Sequence, residues 1–442
     1  MPTDYTDVIR EASAVLVPAI RDKIRDASAK AAEVDALVLD LCRKVGQDAL
    51  QTAIVAEAEV AVTECAGRGF RVEGQRDIEI NTILGPFLVA APVMRHRGDR
   101  KVCRPVQQRL GVRHKMKTQK LERAMTDFGG NESFERATQR LKEHYGIEVG
   151  RTTMLRVVEA CAEDATTFVE EKLAAAEALY DLPEAERPGV EQMLAQLDGC
   201  EIRTGILVKA KGRTPTGRRK RMRETAWRDV RMGLVRLPEH DQAAFVGRMD
   251  DYSEVVSRLF RLGVLSGLGP QTETVGIGDG GIGLMESMGD VFPNFRFILD
   301  YYHLASHVAG AAAVMDLAEE DQKKWVERIM RKATGGKPGT AISELDAYAG
   351  PGQKEVGNLA AYIMRFRHCI HYDKYESEGL PIGSGEVESS HRYIPQRRLK
   401  LPGTWWHPDH INQMLSLLLL QPNGWWEDFW TWRSSRTREA TA

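Results

Sequence analysis

The chain has 442 residues, 43% of them hydrophobic and 28% charged, with 61 Lys plus Arg against 63 Asp plus Glu for a formal net charge of -2. At roughly 100–200 residues per domain this supports two to four units, and the composition excludes a wholly disordered or fibrous chain. The charge balance excludes a chain that is basic throughout, such as a histone-like DNA wrapper, but not a local basic face. In chain order, residues 1–90 read as mostly helical, with apolar residues at helical spacing and few Gly or Pro before Gly67, giving an N-terminal helical region over 1–94.

Residues 95–123 hold eleven Lys or Arg against Asp99 and Glu122. This is either a solvated basic surface or a phosphate-contacting segment. Residues 133–164 follow as a helix, a turn at Gly146 and a second helix from 150–152. That order predicts a helix-turn-helix, with Arg151, Thr152, Thr153 and Arg156 on the recognition helix, although helical hairpins of this pattern also occur without any DNA role. Basic segment and helix-turn-helix together make a DNA-binding region over 95–189.

From 191 the texture turns to short apolar runs divided by Gly and charge, predicting strands at 193–197, 202–208, 226–235, 274–277 and 295–299. Helices are predicted at 252–265 and 282–288, an alternation that gives a mixed sheet. After 303 strand character is lost. A helix is expected from about Gly385, and an amphipathic one at 410–420. The six cysteines have no short spacing between any two, which fits neither a disulfide framework nor a closed zinc site and suggests a reducing compartment. The N-terminus lacks the apolar run of a signal peptide, and the longest run near the C-terminus, 414–420, is far short of the ~20 residues of a membrane span. A cytoplasmic protein, nucleoid-associated when bound to DNA, is therefore expected.

Three acids stand out. Asp198 ends the first predicted strand, Asp279 ends the fourth between Gly278 and Gly280-Gly281, and Glu388 lies just inside a helix introduced by Gly383-Ser384-Gly385. Singly, such acids are often turn formers or N-caps. Together at the ends of successive elements they suggest a site for Mg²⁺ or Mn²⁺, with room for two ions about 3.5–4 Å apart. The second basic island, residues 209–236, sets eleven cations, Arg218, Arg219 and Arg221 among them, against Glu224 and Asp229. Its Gly and Pro residues predict a cationic hairpin loop, for holding phosphates or for solubility. Arg397, Arg398 and Lys400 precede Trp405 and Trp406, a mixture suited to DNA backbone and unpaired bases; core packing is the other reading of the tryptophans, and the preferred one for Trp425, Trp426, Trp430 and Trp432.

The segments QLDG (196–199), WRDVRMG (227–233), GDGG (278–281), FPNFRFILDYYHLASH (292–307), GLPIGSGEVESSHRYIPQRRLK (379–400) and GTWW (403–406) resemble, in order, the RNase H-like DDE transposases of bacterial insertion sequences, most closely the ISKra-type group. The resemblance spans about 190–432. It implies an α+β fold: an RNase H-like catalytic domain of mixed sheet flanked by helices, in parts at 190–310 and 380–442 around a helical insertion at 311–379. It makes Asp198, Asp279 and Glu388 the metal-binding catalytic triad, with Asp300 and His303 as buttresses and His307 either sharing that role or facing solvent. Glu386 rivals Glu388, but positions two apart lie on nearly opposite helix faces, and the family's Gly-Ser-Gly-x-x-Glu pattern selects Glu388. Family members often carry paired cysteines before the helix-turn-helix; only Cys103 stands there, so no zinc is expected. A Trp that the family tends to place after the second Asp-Gly is replaced by Ile282-Gly283-Leu284. The activity implied is Mg²⁺-dependent cleavage of element ends and strand transfer into target DNA, by a chain that forms homo-oligomers on DNA. A domesticated DNA-binding protein without catalysis, or a nuclease without strand transfer, remains the alternative.

Overall fold

The computed structural model describes residues 6–27, 31–181, 189–213 and 219–441. It is an α+β chain that divides into two compact units. The first holds the described residues up to Met125 with Ala137–Arg151 and those from Ser434; the second holds Thr126–Arg136 and Thr152–Arg433.

In the first unit, α1 (Thr6–Ala27) and α2 (Ala31–Gly67) are followed by β1 (Phe70–Gly74), β2 (Asp77–Thr82), β3 (Gly85–Ala90), β4 (Val93–His96), β5 (Val102–Cys103), α3 (Pro105–Leu110) and β6 (Met116–Lys117). The helical expectation for 1–94 therefore fails after Gly67. Residues 77–90 alternate with period two: Ile78, Ile80, Phe87 and Val89 are buried while their neighbours face outward. That alternation is a half-buried strand pattern, and it outweighs helix propensity. The strands form two three-stranded sheets, β1-β4-β5 and β3-β2-β6, and the second shares a core with Ala58, Leu50 and Ile54 of α2. The basic segment spends part of its charge internally, since Arg95 pairs with Glu73 at 2.7 Å and Arg109 with Glu57 at 2.9 Å and Glu64 at 3.2 Å. Cys65 and Cys103, remote in sequence, come together, and burial followed by the neighbouring Cys103 thiol pushes the Cys65 thiol up to about 11.

Helices α4 (Gln119–Asn131), α5 (Phe134–Tyr145) and α6 (Arg151–Tyr180) follow. Gly146, with φ +67°, stands between α5 and α6 where the turn was expected. From Thr152 on, α6 belongs to the second unit and buries Met154, Val157, Val158, Cys161, Ala165 and Phe168 at helical spacing.

The centre of the second unit is a five-stranded mixed sheet of order β11-β10-β7-β8-β9, built from β7 (Gln192–Arg213), β8 (Arg219–Arg236), β9 (Ala244–Arg248), β10 (Glu273–Gly278) and β11 (Phe295–Leu299). β10 is parallel to both β7 and β11, whereas β8 is antiparallel to β7 and β9. The two strands predicted at 193–197 and 202–208 are one continuous strand, so Asp198 lies within β7 and does not end it. β9 escaped the sequence reading. Residues 193–197 of β7 are buried without a break, as a central strand covered on both faces requires. One face meets α7 (Tyr252–Leu265), where Leu259 packs over Gly233 and Gly263 over Met193; the other meets α14 (Gly385–His391) through Gln196.

Between β10 and the C-terminus lie α8 (Leu284–Val291), α9 (Tyr301–Ala313), α10 (Glu319–Thr334), α11 (Pro338–Asp346), α12 (Gln353–Phe366) and α13 (Tyr372–Ser377). After α14 come a π-helical turn (Arg392–Gln396), α15 (Arg397–Leu399), α16 (Pro408–Leu419) and α17 (Trp426–Thr441). Phe429 and Trp430 are buried and cluster with Phe168 and Trp432, so this tryptophan group serves packing. Among the described residues no helix is long and apolar enough to cross a membrane.

Candidate active site

Strand register brings the acids together. β10 pairs with β7 up to Ile277 opposite Gln196, and with β11 up to Gly278 opposite Leu299. Continued one or two residues, both ladders set Asp198, Asp279 and Asp300 level across three adjacent parallel strands, where β10 and β11 end and β7 runs on. In open sheets of this kind, ligands gather at the carboxyl ends of the strands.

Asp198 is nearly enclosed, with its side chain 12% exposed. Burial first, then the nearby charges of Asp279 and Glu388, push its carboxyl up to about 6 from an ordinary 3.8. The Asp279 carboxylate accepts a 2.8 Å bond from the Gly281 amide, closing an Asx turn, while its carbonyl accepts 2.7 Å from the Tyr362 hydroxyl. The glycines here answer to the protein's own packing. A Cβ on Gly280, at φ +77°, would meet Leu299 and Phe366 at 2.8 Å, and one on Gly281 would meet the Tyr252 hydroxyl at 2.6 Å. The close approach of Leu299, Phe366 and Tyr252 is enough to require glycine at both positions.

Asp300 is wholly buried and ties two elements together. One carboxylate oxygen caps α9 by accepting from the His303 amide at 2.8 Å; the other accepts from the Ser384 amide and, at 2.8 Å, from the Ser384 hydroxyl. Ser384 opens α14, and its hydroxyl stands 3.4 Å from the Glu388 carboxylate, as does His303 Nε2. A clamp thus runs from the end of β11 to the third acid. Glu386 turns elsewhere: it pairs with Arg236 at 2.8 Å and accepts from Gln196 at 3.1 Å. Among the described residues no three His, Cys, Asp or Glu side chains stand ready to ligate one ion together. Two further carboxylates, Asp279 and Glu388, stand near the Asp198 carboxyl, whose charge is penalised by burial and by these neighbours.

His391 was not singled out by sequence, yet it belongs to this cluster. It follows Glu388 by three positions, hence on the same helix face, and its Nδ1 lies 3.6 Å from Asp198 Oδ2. Burial holds its imidazole below the ordinary range. Tyr252 and Tyr362, both beside Asp279, also escaped notice, since a lone tyrosine carries no pattern. Ile282, three residues after Asp279, is 89% exposed, and Tyr302, two after Asp300, is 67% exposed. His307 stacks on Tyr362 at 4.3 Å and, with His303, lines a cleft of about 530 Å³ beside α12.

The expected DNA contacts divide. Arg151, Thr152 and Arg156 are exposed on α6, and Thr153 is half-buried. Arg221, Arg397 and Lys400 are exposed. Arg218 lies outside the described residues, and of Arg219 only the backbone in β8 is described. Arg398 is a correction: only 2% exposed, it sits over the Phe134 and Trp406 rings at 4.4 and 4.6 Å and donates to the Gly129 carbonyl, so it builds the core and is closed to DNA. Trp405 is half-buried against Gly205 under Arg223, whose guanidinium lies 4.5 Å from its ring.

The paired strands β7 and β8 run beyond the core as a hairpin. Near its base Glu201 opposes Asp229; toward its tip Lys209 opposes Arg221. Like charges directly opposite destabilise a ladder, so Lys209 and Arg221 do the fold no service.

The raised Asp198 carboxyl has a consequence for stability. The folded state prefers the proton more than the unfolded state does, so full stability holds below about pH 4 and is lost as pH climbs through about 6. Asp198→Asn should therefore stabilise the metal-free protein at neutral pH by up to about 3 kcal/mol, with no gain at pH 4. Thermal melts across that range check it, and an equal gain at both pH values would contradict it.

No protein-family model matches the chain, and no curated protein matches it in sequence. Among solved structures it shows a likeness to the Drosophila P element transposase strand transfer complex, at 11% identity over 72% of this chain and 81% of that one, with a TM-score of 0.25. A likeness of that size carries no weight for the chemistry, which rests on the geometry above.

Proposed function

We propose that this chain is a DNA-cutting and DNA-joining enzyme of the DDE transposase type, with Asp198, Asp279 and Glu388 as its catalytic acids. The observation that carries the reading is that Asp198 and Asp279 stand level on adjacent parallel strands, with Glu388 brought to Asp198 by α14. A five-stranded mixed sheet flanked by helices is also the framework that an RNase H-like domain requires, and the helices between β11 and α14 suit an insertion before the third acid. In this reading Asp198, Asp279 and Glu388 would hold Mg²⁺ or Mn²⁺. Such an ion supplies electrophilic charge for phosphoryl transfer.

The chain's own groups do the rest. The Asp300–Ser384 clamp fixes the start of α14 and with it Glu388, while His303 orients that carboxylate. The cationic hairpin holds backbone phosphates so that the scissile bond lies over the acids, a matter of positioning. Incubating the full chain with supercoiled plasmid and Mn²⁺ tests the reading: nicking that disappears on chelation is expected, and its absence from the intact protein would sink it.

DNA recognition separates into two parts. Arg156→Ala should reduce discrimination between element-end and scrambled duplexes, because it lies where side chains reach base edges. Lys209→Ala with Arg221→Ala should weaken both duplexes alike and lower the salt slope by ~0.9 for each phosphate no longer neutralised. Binding across a salt series distinguishes them. An unchanged matched-to-scrambled ratio in the Arg156 variant would move end recognition away from α6.

A further inference from the structure

We propose that Trp227 is a stacking platform for an unpaired base of bound DNA, a role that rests on the function proposed above and adds a subsite to it. Trp227 lies on β8 with 57% of its surface exposed, an unusual place for a large apolar side chain. Trp405, which the sequence favoured for stacking, is already occupied by Gly205 and Arg223. Two cations flank Trp227. Lys400 Nζ stands 6.0 Å from its ring centroid, and the residue opposite it across the ladder is Arg203. Arg203, Arg223 and Lys400 are exposed, and Arg221 is exposed farther out on the same face.

An aromatic face set among cations on a strand pair fits a single-stranded nucleic acid, because every base has a π-face and every nucleotide a phosphate. Asp198 pairs with Met232, and Trp227 lies five residues farther along β8, about 17 Å at ~3.3 Å per residue. The odd count turns the indole to the opposite face of the strand pair, so the subsite lies apart from the acids. The acids Glu201 and Asp229 oppose each other in the interval, nearer the base of the hairpin. They keep the phosphates off that stretch and favour an approach over Trp227 and Lys400. Exposed Leu207 and Met222 on the same hairpin make a second copy of the chain the competing occupant.

The test compares the binding of a labelled oligothymidylate and a blunt duplex of equal nucleotide count. Trp227→Ala should weaken oligothymidylate binding roughly tenfold and duplex binding less than about twofold, while Trp227→Phe recovers most of the loss. Because the indole is exposed, the substitution leaves the core intact, and a thermal melt verifies this. Equal losses on both probes, or none, would overturn the inference while leaving the DNA-enzyme reading in place. A change in sedimentation with both affinities unchanged would also overturn it, by marking an interface between copies. If the parent protein binds neither probe, the proposed function itself falls and takes the inference with it.

Discussion

Alanine at Asp198, Asp279 or Glu388 is expected to lower metal-dependent DNA cleavage by at least about a thousandfold, because each change removes an oxygen donor from the place where charge must be neutralised during phosphoryl transfer. DNA affinity should stay within about threefold, since the phosphate-holding cations lie on the hairpin and not among the acids. Glu386→Ala is the informative control. Its carboxylate is spent on Arg236 and Gln196, so cleavage should survive in that variant. Loss in Glu386→Ala with retention in Glu388→Ala would exchange the roles of the two acids. Single-turnover cleavage beside equilibrium binding in chelator separates chemistry from affinity.

The second large effect is expected at Asp300. Its buried carboxylate accepts from the His303 amide, the Ser384 amide and the Ser384 hydroxyl, and all three are left without that acceptor in Asp300→Ala. Buried donors left unsatisfied cost about 1–3 kcal/mol each, and removal of an N-cap about 1 kcal/mol. With partial relaxation a destabilisation of about 3–5 kcal/mol is expected, in line with broken buried charge networks. Asp300→Asn retains one acceptor oxygen and should be less destabilised. Because Ser384 introduces the helix that carries Glu388, the Asn variant should also lose cleavage activity out of proportion to its stability. Urea titration of both variants beside cleavage rates checks this, and an Ala variant as stable as the parent would show that the clamp contributes nothing to the fold.

What the sequence made legible, and what it hid, follows from how local each signal is. The helix Tyr252–Leu265 was read end to end because its apolar stripe and its N-cap, Asp251 accepting from the Glu254 amide, are both written in adjacent residues. Phe295–Leu299 was equally plain as a short apolar run between turn residues. The long β7 was broken in two because Gly199 and the charges after it look like a turn, whereas the strand continues as a hairpin with its own partner, β8. The N-terminal strands were absorbed into a helical composition although their two-residue alternation was present.

The acids themselves were visible as residues out of place. Their level alignment was not, because it depends on parallel register between strands remote in sequence. Arg398 misled for the same reason: its neighbours Arg397, Lys400 and Trp405 suggest a nucleic-acid surface, but its partners Phe134, Gly129 and Trp406 come mostly from elsewhere in the chain. His391 required only a count of one helical turn from Glu388, and it could have been found.

In the proposed reading, Asp198 and Asp279 of the sheet, together with Glu388 of α14, form one site for a divalent cation. Electron paramagnetic resonance titration of Mn²⁺ into the intact, metal-free chain tests it most directly, because bound Mn²⁺ loses the signal of the free ion whether or not a DNA substrate is known. Saturable binding is predicted for the parent and for Glu386→Gln, and weakening of at least about tenfold for Asp198→Asn, Asp279→Asn and Glu388→Gln. Undiminished Mn²⁺ binding in all three of those variants would contradict the account.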